Sequence, residues 1–297
     1  MKQLVRKSYK YRIYPTKSQI TNMENQFSMC RYLYNWNLTE RIEAYEKEQH
    51  SISYNEQQNK LPELKKEKPW FKSVHSQVLQ DVLKRLDNAY KHFFRRVKTG
   101  EVPGFPKFKK RGQWNSITYP QYSKHPSSDE IVVPKLGSIK LKYHREISED
   151  VKIKTLTITK EADKWFACFS VEQELEIELK QDFSSSIGID LGLIDFVYTS
   201  NNDSISVPKY FRKKEQQLTR LQRRLSKTTK RSKKYYQLLK AIQKCHYKIK
   251  CQRNDFLHKS ANNILSQGNA VIHEDLKIKN MMRRPKPKQD DRASNHI

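Results

Sequence analysis

Large residues alternate along the start of the chain. Tyr9, Tyr11 and Ile13 share one side of residues 5–14, and Pro15 closes the segment, which predicts a strand ended by a turn. Thr16 stands where a helix N-cap belongs. Beyond it Ile20, Met23, Phe27, Cys30 and Tyr34 recur at three- and four-residue steps, predicting a helix to about residue 48. A second helical stretch follows Pro69, with Val74, Val78, Val82, Leu86, Tyr90 and Phe93 at near-heptad spacing. Together these predict a helical lobe over residues 16–99. From residue 100 to 179 the pattern reverses, and Pro and Gly punctuate short apolar runs at 131–133, 138–143, 151–159 and 165–171. This is β-rich chain, and the first strand could join it, making the helical lobe an insertion in a β-barrel.

A third region opens with Ile187-Gly188-Ile189-Asp190-Leu191-Gly192, an apolar strand with an acid near its end, and a second strand is predicted at 196–198. About fifty residues without a strand signal follow. Leu218, Leu221 and Leu225 mark one helix, residues 226–233 a turn, and Leu238, Ile242, Cys245, Ile249 and Gln252 a returning helix. Ala270-Val271-Ile272-His273-Glu274-Asp275-Leu276 then repeats the theme of an apolar strand ending in acid. The tail from Met281 is basic and Pro-containing, and no regular element is predicted there.

Charge sharpens this outline. The 297 residues carry 59 Lys+Arg against 32 Asp+Glu, a net charge of +27, which points to a polyanionic partner. No apolar run of transmembrane length and no signal-like start is present, so nucleic acid in the cytoplasm is favoured over a membrane surface. With 36% hydrophobic and 11% aromatic residues the chain can build cores. Cys30, Cys168, Cys245 and Cys251 form no C-x-x-C pair, so no zinc site is expected and reduced, mostly buried thiols are. Phosphate loops of the Walker or dinucleotide type are absent, which argues against ATP or NAD chemistry.

Two basic segments are candidates for the polyanion. Residues 104–111 set Phe105 and Phe108 among Lys107, Lys109, Lys110 and Arg111, which suits either a nucleic-acid surface or a solvated loop with two buried rings. Residues 209–259 hold 18 Lys+Arg and 2 Asp+Glu, a net of 18 − 2 = +16, on a predicted helical hairpin. A charge run is commonly a solvated face, but with so few acids present self-repulsion argues for a bound polyanion. Its candidate contacts are Arg212, Lys213, Arg220, Arg223, Arg224, Lys230, Arg231 and Arg253. Asp190 and Glu274, at the ends of two apolar strands either side of the hairpin, match how an RNase H-like fold holds divalent cations. Acids after strands are also common loop residues.

The segments 187–193, 208–213, 221–226, 252–259 and 272–276, with Tyr11-Arg12-Ile13-Tyr14-Pro15-Thr16, Ala89-Tyr90-Lys91-His92-Phe93-Phe94 and Gly104-Phe105-Pro106-Lys107-Phe108-Lys109, resemble successive motifs of the TnpB family of transposon-encoded, RNA-guided nucleases. The resemblance runs through essentially the whole chain in order. It implies a wedge-type β-barrel (1–15 and 100–183), an inserted helical recognition lobe (16–99) and a RuvC-like domain (184–297) with its basic hairpin at about 209–259. In that family Asp190 would be the first catalytic acid and Glu274 the second, completed by a later Asp after a four-cysteine zinc insert. Here the chain ends at Ile297, and Asp290 and Asp291 lie too near Glu274 to substitute. The RuvC-like domain is therefore expected to be C-terminally incomplete and its acids vestigial, holding no metal or only weak Mg²⁺.

The resemblance implies a guide RNA as cofactor and, as partner, double-stranded DNA carrying a short adjacent motif. Candidate readers of that motif are Tyr54, Gln77, Gln80, Tyr119 and Gln121, whose amides and hydroxyls can address base edges or can be ordinary surface groups. The favoured reading is a nuclease-deficient, RNA-guided DNA-binding protein that represses transcription by occupancy, nucleoid-associated in a bacterial cytoplasm. The competing readings are an RNA-guided, Mg²⁺-dependent endonuclease of an insertion sequence, cut short or completed by another chain, and a structural RNA-binding protein.

Overall fold

A computed structural model describes residues 2–127, 129–176, 183–192 and 194–276; the basic tail, with Asp290 and Asp291, lies outside them. The chain divides into two compact units, Met1–Glu178 and Leu179–Ile297.

In the first unit, strand β1 (Lys2–Tyr14) leads into helices α1 (Lys17–Glu48), α2 (Tyr54–Asn59) and α3 (Leu61–Glu67), a 3-10 turn at Pro69–Ser73 and helix α4 (Ser76–Lys98). Five strands follow: β2 (Ser116–Tyr119), β3 (Glu130–Val133), β4 (Gly137–Lys142), β5 (Lys152–Glu161) and β6 (Lys164–Glu176). They form one sheet in the order β2-β5-β6-β1-β4-β3, so β1 lies inside it and the helices are inserted between two of its strands. The sheet curls without a ladder between its edge strands. Instead the Tyr119 hydroxyl donates to the Pro134 carbonyl at 3.1 Å and the Tyr122 hydroxyl to the Val132 carbonyl at 2.9 Å, linking the β2 side to the β3 side.

Local chemistry explains where these elements start. Thr16 and Gln19 form a capping box at the start of α1, and the Gln19 amide also donates to the carbonyls of Leu136 at 3.1 Å and Ser138 at 2.7 Å, tying α1 to the β3–β4 turn. Ser53 and Glu56 form a second box on α2, a short helix that apolar periodicity does not announce. Helix α4 buries Val78, Leu79, Val82, Leu83 and Leu86, a three-and-four spacing that faces one core shared with Tyr11, Ile13, Leu156 and Phe169. Each such side chain contributes about 1.5–3 kcal/mol by leaving water. Arg85 fastens α4 to β2: its guanidinium donates to Thr118 Oγ1 at 2.7 Å, Ser116 Oγ at 3.1 Å and Asp81 at 2.6 Å.

The second unit contains β7 (Ser186–Asp190), β8 (Asp195–Thr199), β9 (Ser204–Ser206), α5 (Tyr210–Ser226), α6 (Lys233–Leu265) and β10 (Ala270–His273). The sheet order is β10-β7-β8-β9, and β10 runs parallel to β7 because the helical pair carries the chain back before it. Ile187, Val197 and Ile264 form the small core where the end of α6 lies on the sheet. Gly268 is required at the entry to β10, since a Cβ there would meet the Ser185 carbonyl oxygen at 2.3 Å. The following Asn269 N–H donates to that same oxygen at 3.0 Å, which seats β10 beside β7.

Candidate nucleic-acid interface

Parallel pairing puts the two strand-end acids at the same end of the sheet. The last register pair of the β7–β10 ladder is His273↔Ile189, and the positions that follow are Glu274 and Asp190. Each is the next residue along the chain after its member of that pair. Ile187 and Ile189 turn toward the core with α6, so the alternation of β7 sends Asp190 to the other face. Both acids are exposed. Two carboxylates at adjacent strand ends suit a hard divalent cation, which would offset their repulsion. Among the described residues no group of three or more His, Cys, Asp or Glu gathers to hold a metal ion.

Helices α5 and α6 pack through Leu218, Cys245, Ile249 and Ile242, and the cations lie outside that seam. Arg212, Lys213, Arg220, Arg223, Arg224, Lys230, Arg231 and Arg253 are all exposed. Arg212, Gln216, Thr219, Arg220, Arg223, Arg224 and Lys227 line a shallow groove along α5, in which the acid Glu215 pairs with Arg212 at 3.2 Å. At about 1.5 Å of rise per residue this groove runs roughly 22 Å. That length matches about six nucleotide steps of one strand at about 3.4 Å each. A second groove, on α6, is lined by His246, Ile249, Lys250, Arg253 and Asn254.

In the first unit the basic loop is a built surface. Pro106 is buried, and the side-chain amide of Asn35 grips the backbone of Lys109 at both ends, accepting from its N–H at 2.8 Å and donating to its carbonyl at 3.0 Å. Lys109 Nζ lies 5.3 Å from the centroid of the Tyr34 ring, while Lys107, Lys110 and Arg111 are exposed. Phe105 and Phe108 are 46% and 52% exposed, so the alternative of two buried rings does not hold. Asn35 is the residue that sequence reasoning missed. Its partner lies 74 positions away, and no local pattern announces the clamp.

The candidate motif readers divide. Gln77 Nε2 donates to Gln121 Oε1 at 2.9 Å, and Gln80 is half-buried one turn further along α4. Half-buried Tyr54 has its hydroxyl pKa raised by burial and by the charges of Asp81 and Asp87. Tyr119 is a correction to the set: it is 1% exposed, its ring packs 5.7 Å from that of His75, and burial holds its pKa up. It is a core residue, beyond reach of a base edge. The thiols also divide, with Cys30 and Cys245 buried, Cys168 half-buried and Cys251 exposed; burial pushes the Cys30 thiol up to about 12, which keeps it inert.

Comparison with known proteins places the chain among relatives. A family described as "Probable transposase" (OrfB_IS605) matches residues 168–285, and its "Helix-turn-helix domain" matches residues 1–50. In this chain residues 1–50 hold β1 and the single long helix α1. The "Putative RNA-guided DNA endonuclease InsQ" of Escherichia coli K12 is 32% identical over 277 residues, covering 92% of this chain and 67% of that protein. A "Putative RNA-guided DNA endonuclease" of Streptomyces pristinaespiralis is 28% identical over 290 residues, covering 96% and 71%. Among solved structures, a Cas12f1–sgRNA–target DNA complex is similar at 13% identity over 92% of this chain and 81% of that one, with a TM-score of 0.42. That likeness is too distant to assign anything to this chain. The identity and coverage of the Escherichia coli relative do assign it: the chain belongs to the TnpB family, OrfB_IS605.

Proposed function

We propose that this chain binds double-stranded DNA under the guidance of a bound RNA and acts by occupying its target. The observation that carries the reading is the hairpin of net charge +16, with its groove of arginines along α5. Such a track neutralises phosphates without reading bases, and in RNA-guided recognition the sequence is read by pairing. Both relatives are named RNA-guided DNA endonucleases, which supports RNA and DNA as the polyanions. In this reading the curled sheet is the wedge, residues 16–99 are the recognition lobe, and the second unit is RuvC-like. Gln77, Gln80, Gln121 and Tyr54 are the candidate readers of a short motif beside the target.

Occupancy without cutting is the finer part of the proposal. Two-metal hydrolysis needs both cations fixed about the scissile phosphate, and the strand ends offer a pair of carboxylates, Asp190 and Glu274. The reading as a Mg²⁺-dependent endonuclease is favoured by the relatives' names and by that same pair. One experiment separates them. The D190A/E274A variant should repress a guide-matched reporter as well as the unmodified chain does, because obstruction needs no hydrolysis. Guide-dependent double-strand breaks by the unmodified 297 residues in Mg²⁺, lost in that variant, would establish the endonuclease instead.

A further inference from the structure

At the end of α4 and in the loop that follows, apolar rings stand in the open among cations. Phe94 is 58% exposed, Phe105 46% and Phe108 52%. The rings form an ordered group: Phe93 meets Phe105 edge-on at 5.3 Å, Tyr90 meets Phe105 edge-on at 5.6 Å, and Tyr90 and Phe94 stack at 6.3 Å. Arg41 lies over the Tyr90 ring at 5.2 Å and fixes the base of the group, while the Asn35 clamp on Lys109 fixes the loop. Residues 91–111 hold eight Lys+Arg and one acid, Glu101, a net of 8 − 1 = +7. Glu101 lies 3.7 Å from Arg95 and 3.9 Å from Arg96, leaving the charge of Lys107, Lys110 and Arg111 uncompensated by it. The helix dipole of α4 rationalises cations in its last turn, but not those of the loop.

An apolar protein surface or an uncharged lipid would gain from the rings and nothing from a +7 field crowded around them. A duplex would use the cations but hides its base faces. Unpaired nucleotides use both, since each base offers a π-face and each link a phosphate. We propose that this patch is a seat for a single-stranded nucleic acid, with Phe94 and Phe108 stacking on bases and Lys107, Lys110 and Arg111 meeting phosphates. It rests on the reading of the chain as nucleic-acid-binding and adds to it a strand that is unpaired where it crosses the first unit.

The test uses the full chain stripped of bound RNA, with an oligo-dT strand and a blunt duplex of equal length as probes in fluorescence anisotropy. The F94L/F108L variant keeps apolar bulk and loses the rings. Its affinity for the strand should fall about tenfold for each ring, with duplex affinity unchanged, and F94Y/F108Y should restore binding. Three results would overturn the seat: undiminished strand affinity in the leucine variant, an equal loss on duplex, or no recovery with tyrosine. Undiminished affinity would leave the patch to an apolar partner. The guide reading has its own readout, a discrete RNA carried by the unmodified protein, so either idea can fail while the other stands.

Discussion

The two units are held together by different means. The first has one continuous core, in which β1, α1, α4 and five further strands bury Tyr11, Met23, Leu33, Leu83, Phe169 and their neighbours. The second, among its described residues, has two three-residue clusters, Ile187/Val197/Ile264 and Leu218/Cys245/Ile249, beneath a hairpin of net charge +16. Apolar burial dominates the first. In the second, burial is thin and the cations repel one another, so a polyanion, once bound, would contribute a larger share of stability through mass action.

The largest effect should come from the platform's core. Leu83 is fully buried, and Leu83→Ala should cost about 3–5 kcal/mol in urea unfolding of the first unit. Leu218→Ala, in the thin hairpin seam, should cost only about 2 kcal/mol. An equal loss would erase the contrast. A smaller effect should appear along α5, where R220A/R223A removes two groove cations. The slope of log affinity against log salt should become shallower by about one for each phosphate no longer neutralised, with folding of the first unit untouched. An unchanged slope would mean that the groove is a solvated face.

The smallest effect concerns His75, the N-cap of α4, whose Nδ1 accepts from the Gln77 N–H at 3.3 Å. Burial, and then the charges of Lys135 and Lys65, hold its pKa below the ordinary 6.5. The unfolded chain therefore takes up a proton first. Stability of the first unit is highest above pH 6.5 and falls as pH drops from there toward the depressed folded value. His75→Asp keeps a capping oxygen and should flatten that pH dependence. A slope that persists would place the titration elsewhere.

Much of this architecture was legible because it is periodic. The alternation through Tyr9, Tyr11 and Ile13 gave β1, the Thr16 cap is present, and the leucine and isoleucine spacing gave α5 and α6 joined by the expected turn. Some short elements were not legible. Helices α2 and α3 and strands β2 and β9 are three to seven residues long, too brief to carry a period. That Asp190 and Glu274 follow two apolar strands could be read in the sequence, but the parallel register of those strands depends on how Gly268 meets Ser185. Tyr119 shows the opposite failure, since a hydroxyl reads as polar in sequence while the alternation of β2 buries it. The Asn35 clamp and the ring group at the end of α4 join distant positions and exist only in three dimensions.

In the proposed function a specific RNA, rather than polyanion in general, occupies the basic surfaces and directs the chain to DNA. Isolating the protein from its host at moderate salt and sequencing the RNA it carries tests this most directly. One discrete structured species is expected, one end of which pairs with DNA that co-purifies; a heterogeneous mixture of degraded cellular RNA would rule out a guide.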